Sequence, residues 1–205
     1  MIRESLVLVS LIPCLVLGAR ASLAGPMAAT EQVRIVLDRV MEIQTRPDLQ
    51  GESHRMERAY LARQLIADNF LISDIARESV KDHWDRISQK QRDAFQSLFT
   101  AIFHNTYTRL VLKFVQSDTV EYQGDSAEGK GALVRTVIKR AYQQIPVDYH
   151  LIQKGARWYI RDVEIDGVSI VENYRNAFRR VMMNGSFDAL LKNMSVQRLA
   201  IEDDL

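Results

Sequence analysis

The sequence predicts an α+β fold in which a curved antiparallel sheet carries helices packed on one side. Apolar residues recur at helical spacing over residues 30–115, at a period of two over residues 118–166, and at helical spacing again over residues 170–193. The strand candidate Ala132–Arg140 has one wholly uncharged face and one amphipathic face, which is typical of a sheet covered on one side. We therefore expect a single domain over residues 25–205.

Residues 1–24 are predicted to be a signal peptide. Leu6–Leu17 is an uncharged stretch of 12 residues, which is shorter than the roughly 20 residues that span a bilayer. Small residues at Ser22 and Ala24 favour cleavage after Ala24. Two alternatives stay open: lipidation of Cys14, which Pro13 directly before it disfavours, and retention of the segment as an anchor.

Three helices are expected in the first part of the mature chain. The first begins at an N-cap on Thr30 and ends at Arg46–Asp48, and the second covers Glu52 to about Asp68. The third is capped by Ser73–Asp74 and runs to about Trp84.

A helix of about 25 residues is predicted next. Ser88 and Gln91 at its start have the spacing of a capping box, in which each residue's side chain meets the other's backbone amide. The helix carries a wide apolar stripe that something bulky must cover, made of Phe95, Leu98, Phe99, Ile102, Phe103, Thr106, Leu110 and Phe114.

Two hairpins follow. Thr119–Gln123 and Ala132–Arg140 flank a glycine-rich turn over residues 124–131, and Val147–Gln153 and Arg157–Ile165 flank Lys154–Gly155.

The chain is expected to close with two helices. Ile170–Met183 ends at an Asn184–Gly185 C-cap, Phe187–Lys192 forms a short last helix, and the acidic tail from Gln197 to Leu205 is expected to be frayed.

Composition excludes several classes of function. The formal net charge of +1 provides no basic surplus of the kind that nucleic-acid binding requires. A single cysteine excludes a disulfide scaffold and a zinc site of several cysteines. The sequence also has no nucleophile elbow, P-loop, metalloprotease or dinucleotide-binding motif, so we expect neither enzymatic activity nor a cofactor.

The remaining polar candidates are better explained as structural residues. The four histidines, at 54, 83, 104 and 150, are scattered one to an element, although His104 lies among the aromatic residues of the long helix. Glu164 and Asp166 are interpreted as a solvated strand end, and the three arginines at 175, 179 and 180 as a mostly solvated helix face. What stands out is the number of large rings, which fits either a plain core or a ligand cavity.

The C-terminal segment resembles a known family. Trp158–Phe178, which reads WYIRDVEIDGVSIVENYRNAF, and Asn184–Leu191, NGSFDALL, are similar to the signature of the Mla-pathway periplasmic phospholipid-binding proteins, MlaC, also called the toluene-tolerance family. Ile75–Trp84 and Val147–Tyr149 are similar to its helical segment and its penultimate strand. The resemblance runs from about Gln32 to Met194. A hopanoid-associated subgroup shares the fold of this family, and the chain could belong to either group.

The resemblance implies a soluble periplasmic carrier with a deep apolar cavity for the acyl chains of a phospholipid, or for a hopanoid-type lipid. It implies two partners, an outer-membrane lipoprotein complex and an inner-membrane ABC transporter, and a role in outer-membrane lipid asymmetry. Large apolar residues on facing elements are the predicted lipid-binding set: Phe70, Phe95, Phe99, Phe103, Tyr107, Val147, Tyr149, Trp158, Ile160, Val168, Val171 and Tyr174.

Two other classes remain as alternatives. An enzyme acting on a hydrophobic substrate would show a buried histidine–carboxylate pair in its cavity. A structural or adaptor protein would have a filled core and no sizeable cavity.

Overall fold

A computed structural model describes residues 28–113, 118–183 and 185–202; the predicted leader, Phe114 of the predicted stripe and the predicted cap residue Asn184 lie outside these ranges. The described elements follow the predicted order of helices, sheet and helices. They are α1 (Ala29–Thr45), α2 (Arg55–Asn69), α3 (Ile72–Ser79), α4 (Lys81–Trp84), α5 (Gln89–Leu112), β1 (Thr119–Glu128), β2 (Gly131–Arg140), β3 (Gln143–Lys154), β4 (Arg157–Ile165), β5 (Val168–Ser169), α6 (Ile170–Met183) and α7 (Phe187–Glu202). Short 3-10 turns at Pro47–Leu49 and Glu52–His54 join α1 to α2.

The five strands form one antiparallel sheet in the order β1-β2-β3-β4-β5, which confirms the predicted fold class. The predicted faces of β2 are also confirmed, because its uncharged face, Ala132, Val134, Thr136 and Ile138, is buried. Irregular register between Tyr122 and Gly124 and between His150 and Leu151 bends the sheet around the helices.

Helix α5 provides the central column of the core. The predicted capping box is present: the Gln91 amide donates to Ser88 Oγ at 3.3 Å, and the Ser88 amide donates to Gln91 Oε1 at 3.0 Å. Phe95, Phe99 and Phe103 recur at every fourth position and are at most 1% exposed. Phe178 of α6 covers this column, with its ring centroid 5.6 Å from that of Phe95.

Two of the predicted N-caps are wrong. Helix α1 begins two residues early, after Ala28, and the Thr30 hydroxyl donates to Asp125 at 2.8 Å instead of capping the helix. Helix α3 begins at Ile72 because the Leu71 amide donates to the Ile160 carbonyl at 3.0 Å, which fixes the start of the helix on β4. The predicted third helix is also divided at Val80, whose φ of −127° is not helical.

Three further boundaries differ from prediction. Strand β1 continues through Gly124, because a φ of 102° lets this glycine form a bulge rather than a turn. The two-residue strand β5 was not predicted. Helix α7 runs to Glu202 instead of ending at Lys192, and its own Leu190 and Met194 anchor it in the core at 1% and 2% exposure.

A buried polar cluster ties α1, α2 and β4 together. Asn69 Oδ1 accepts from Gln32 Nε2 at 3.0 Å and from Arg157 Nη2 at 2.9 Å, and Asn69 Nδ2 donates to the Leu65 carbonyl at 2.7 Å. Both polar atoms of this 5%-exposed amide are therefore satisfied, so its burial carries little penalty.

Replacing Ala141 with glycine is expected to stabilise the protein. Ala141 is the first residue of the two-residue turn between β2 and β3, and its φ of 48° lies in the left-handed region that favours glycine. Ala141→Gly should raise the free energy of unfolding by about 0.5–1 kcal/mol, measured by urea denaturation. Ala156→Gly, in the turn between β3 and β4 but without a positive φ, is the control and should not stabilise. An unchanged or lowered stability for Ala141→Gly would contradict the strained turn.

Candidate functional site

An apolar cavity of about 230 Å³ lies between the sheet and the C-terminal half of α5. The concave face of β2, β3 and β4 forms one wall, and α1, α2 and α5 form the other. Its lining residues are Val36, Leu37, Val40, Leu65, Ile66, Phe70, Tyr107, Leu110, Val111, Lys113, Ile138, Arg140, Ile145, Val147, Tyr149, Ile160, Val163, Ile165 and Ile170. Neither a carboxylate nor a histidine is among them.

Phe70 reaches the cavity because the chain between α2 and α3 is bound to the sheet. This residue ends α2, forms a parallel bridge with Ile160 of β4, and stacks edge-on with Phe103 at a centroid distance of 5.7 Å. The connection therefore closes the cavity between α2 and β4.

The tyrosine hydroxyl groups of the wall are satisfied within the protein. Tyr149 is hydrogen-bonded to Thr136, whose hydroxyl donates to the Val147 carbonyl at 2.8 Å. Tyr107 is hydrogen-bonded to Tyr174 of α6. Burial raises the pKa of both cavity tyrosines, so they stay neutral at physiological pH. The wall thus presents carbon surface to an occupant, and polar recognition has to take place elsewhere.

Among the described residues, the charged groups that line the cavity lie at one end of it. Arg140 Nε donates to the two carboxylate oxygens of Asp118 at 2.9 and 3.0 Å, and the Asp118 side chain is completely buried. Lys113, just beyond the end of α5, is exposed at the same end. Gln44 Nε2 donates to the Val111 carbonyl at 2.7 Å and holds α1 against this part of α5. An occupant with a long apolar part and an anionic end fits this distribution of charge.

Five of the twelve predicted lipid-binding residues line the cavity: Phe70, Tyr107, Val147, Tyr149 and Ile160. Phe95, Phe99 and Phe103 lie in the core on the N-terminal side of it, and Tyr174 packs on Phe99 with ring centroids 4.9 Å apart.

The other three predicted residues lie away from the cavity wall. Trp158 is half-buried on β4, Val168 is 58% exposed, and Val171 lines a different, polar groove.

Sequence reasoning missed the contribution of α1 and of the sheet end. Val36, Leu37 and Val40 of α1 recur at helical spacing in the sequence, but such a stripe does not distinguish a cavity wall from a packed core. Ile138 was recognised as part of the uncharged face of β2 in the same way. Lys113 and Arg140, the charged residues at the cavity end, gave no signal in the sequence, since single cations at the ends of helices and strands are common.

The polar groove lies between α3, α6 and the strands β3 and β4, with a volume of about 410 Å³. His150 Nδ1 lies 2.9 Å from Glu128 Oε2, which Arg161 also contacts at 2.9 Å, and Nε2 lies 3.9 Å from Glu164. Arg175, interpreted from the sequence as mostly solvated, pairs with Glu78 and Glu172, and its side chain is only 12% exposed. This groove is lined by ion pairs between its own side chains and has no continuous apolar wall.

The described ranges contain neither a group of metal-ligating side chains nor a membrane-spanning helix. Across residues 28–113, 118–183 and 185–202, no three histidine, cysteine or acidic side chains are grouped so that they could hold a metal ion. None of the helices in those ranges is long and apolar enough to cross a bilayer.

Comparison with known proteins gave a family match and matches to solved structures. The family model described as MlaC protein matches residues 34–196. A phospholipid-binding protein from Ralstonia solanacearum, solved in complex with a phospholipid, is similar in fold, with a TM-score of 0.72 and 20% sequence identity. The match covers 86% of this chain and 99% of that protein. None of the curated proteins compared with the chain matches it.

Because of His104, the free energy of unfolding is expected to decrease as the pH is lowered. Its Nδ1 is buried on α5 without a hydrogen-bond partner among the described residues, and burial, with a smaller contribution from Arg63, lowers its pKa below the ordinary 6.5. Below about pH 6.5 the unfolded chain therefore binds a proton that the folded chain does not, so the free energy of unfolding decreases as the pH falls.

Urea denaturation at pH 7.5 and 5.5 tests this expectation. His104→Gln should flatten the pH dependence of stability, whereas His83→Gln, at the half-exposed histidine of α4, is the matched control. Equal slopes for the wild type and His104→Gln would contradict it.

Proposed function

This chain belongs to the MlaC protein family, and from that premise we propose that it is a periplasmic carrier that holds the acyl chains of a phospholipid in the apolar cavity. The observation that carries the proposal is a carbon-lined cavity whose charged lining residues, among those the structure describes, are Lys113 and Arg140 at one end. The phospholipid in the similar Ralstonia solanacearum protein supports the same ligand class. The proposed role involves no covalent chemistry.

The hydrophobic effect sets the main requirement for such a carrier. Two acyl chains contain about 30 methylenes, and transferring them into water would cost on the order of 24 kcal/mol at about 0.8 kcal/mol each. Because the lipid leaves a bilayer in which this surface is already hidden, the protein has to cover nearly all of it. Each methylene left exposed would favour return of the lipid to the membrane.

The cavity therefore has to widen when it is loaded. Its volume of about 230 Å³ lies below the roughly 300–1,000 Å³ that is common for ligand pockets. Loading should move the helical wall and the sheet apart, since α1, α2 and α5 face β2, β3 and β4 across the cavity. The aromatic core at the N-terminal half of α5 stays packed and keeps the fold intact.

We extend the proposal to export and to partners. The predicted leader would direct the chain to the periplasm, where it would exchange lipid with an outer-membrane lipoprotein complex and an inner-membrane ABC transporter. Such exchange would maintain the lipid asymmetry of the outer membrane.

Native mass spectrometry of the protein purified from the periplasm, followed by lipid extraction, tests the proposed ligand. We expect an added mass that resolves into a phospholipid. An added mass of hopanoid type would change the proposed ligand but support the carrier role. A protein that stays unliganded after incubation with phospholipid vesicles would contradict the proposed function.

Filling the cavity should abolish lipid binding without unfolding the protein. Val147 is 3% exposed and lines the cavity, so Val147→Phe extends a ring into empty space. We expect this variant to lose most of its bound phospholipid, while the delipidated protein is unchanged in stability or gains about 0.5–2 kcal/mol.

The matched control is Val134→Phe on the neighbouring strand. Val134 is completely buried on the same face of the sheet but does not line the cavity. The added ring should cost about 1–3 kcal/mol of stability through overpacking and leave lipid binding in place. Full lipid occupancy in Val147→Phe would show that the acyl chains lie elsewhere.

A further inference from the structure

The first turn of α6 lies between the apolar cavity and the polar groove. Ile170, the first residue of the helix, lines the cavity, and Val171, the next residue, lines the groove. Both side chains are buried. At this point the partition between the two spaces is a single helical turn, so the position of that turn decides whether water from the groove reaches the cavity.

Two side chains cap this turn. Ser169 directly precedes α6, and its Oγ accepts a hydrogen bond from the Glu172 amide at 3.1 Å. Asp162 Oδ1, from β4, accepts from the Val171 amide at 3.1 Å, and Ser169 Oγ donates to Asp162 Oδ2. Amides in the first turn of a helix have no partner within the helix, so these contacts satisfy two of them and place a carboxylate at the positive end of the helix dipole. We call Asp162 and Ser169 the α6 cap.

The α6 cap fixes the turn to the wall of the cavity. Asp162 Oδ1 also accepts from the amide of Val163 at 2.8 Å, and the Val163 side chain lines the cavity. One turn further along α6, Tyr174 is hydrogen-bonded to the cavity residue Tyr107 of α5. The start of α6 is therefore tied to the sheet through the cap and to the helical wall through Tyr174.

Other contacts hold the rest of α6 independently of the cap. Arg175 Nη2 donates to Glu78 Oε1 at 2.7 Å and to the Glu78 carbonyl at 3.2 Å, which ties α6 to α3. Phe178 is 6% exposed and packs on Phe95 of α5. Loss of the cap should therefore loosen the first turn of α6 without releasing the helix or unfolding the protein.

We propose that Asp162 and Ser169 are positioning residues for lipid retention, because they hold the first turn of α6 as the partition between the cavity and the polar groove. This inference rests on the proposed function, since it identifies residues that keep a loaded cavity dry. Without the cap, the amides of Val171 and Glu172 lose their partners beside an apolar space and recruit water from the groove. Water at this wall competes with an acyl chain, and a displaced turn leaves methylenes uncovered, so the lipid is bound less tightly.

Two serine caps provide a matched pair of variants. Ser186 Oγ accepts from the Ala189 amide at 3.2 Å at the start of α7, as Ser169 Oγ does for the Glu172 amide of α6. The described residues of α7 do not line the cavity, whereas Ile170 of α6 does. Ser169→Ala and Ser186→Ala should each lower the melting temperature of the delipidated protein by about 2–4 °C, because each change removes one helix cap.

Lipid binding distinguishes the two variants. A pyrene-labelled phosphatidylglycerol is titrated into delipidated protein purified from the periplasm, and its dissociation constant is measured. Ser169→Ala should weaken binding about fivefold, whereas Ser186→Ala should bind as the wild type does. Asp162→Asn keeps an acceptor oxygen for the Val171 amide, so it should weaken binding less than Asp162→Ala, which removes both acceptors.

The outcomes separate this inference from the proposed function. Equal dissociation constants for Ser169→Ala and Ser186→Ala, at equal losses of melting temperature, would show that the α6 cap stabilises only the fold, and would leave the carrier intact. The serine pair decides this even if Asp162→Ala does not fold. A wild type that neither binds the probe nor contains phospholipid as purified would overturn the proposed function itself.

Discussion

The contacts between aromatic rings along α5 are the interaction on which the rest of the structure depends. Phe95, Phe99, Phe103 and Tyr107 follow one another at every fourth residue, with centroid separations of 5.8, 5.8 and 4.3 Å. Phe95 and Phe99 pack against rings of α6 and Phe103 packs against Phe70, whereas Tyr107 reaches the cavity. One helix therefore joins a tightly packed core to an unfilled space, and the core has to compensate for the contacts that the cavity wall lacks.

Polar side chains at the boundary between core and cavity are arranged so that the unfilled space stays apolar. The Asn69 amide joins three elements and satisfies its own polar atoms, and the Tyr149 hydroxyl is held by Thr136. A cavity lined by unsatisfied polar atoms would hold water, which an acyl chain would have to displace. The apolar wall imposes no directional requirement on its occupant, so chain length and unsaturation should be weakly discriminated.

Periodicity in the sequence was sufficient for the class of the fold and for most elements. The Ser88–Gln91 capping box, the long α5, strand β4 and helix α6 follow from local patterns and are found as predicted. The predicted boundaries were wrong where contacts with residues distant in the sequence set the end of an element. The Leu71 amide binds the Ile160 carbonyl of β4 and sets the start of α3, and Gly124 forms a bulge within the paired strand β1. The same limit applies to the site. Spacing identified the buried face of α5, but only the curvature of the sheet determines that Phe99 fills the core while Tyr107 borders the cavity.

The irregular edge strand β1 has a consequence for behaviour at high concentration. A ten-residue edge strand offers unpaired backbone groups to another chain, which favours aggregation. The bulge at Gly124 interrupts the regular hydrogen-bonding edge, and the acidic side chains of Glu121 and Asp125 lie along it. Glu121 is paired with Lys139 of β2, so the bulge and the Asp125 carboxylate are the features that disfavour edge-to-edge addition of a strand at β1.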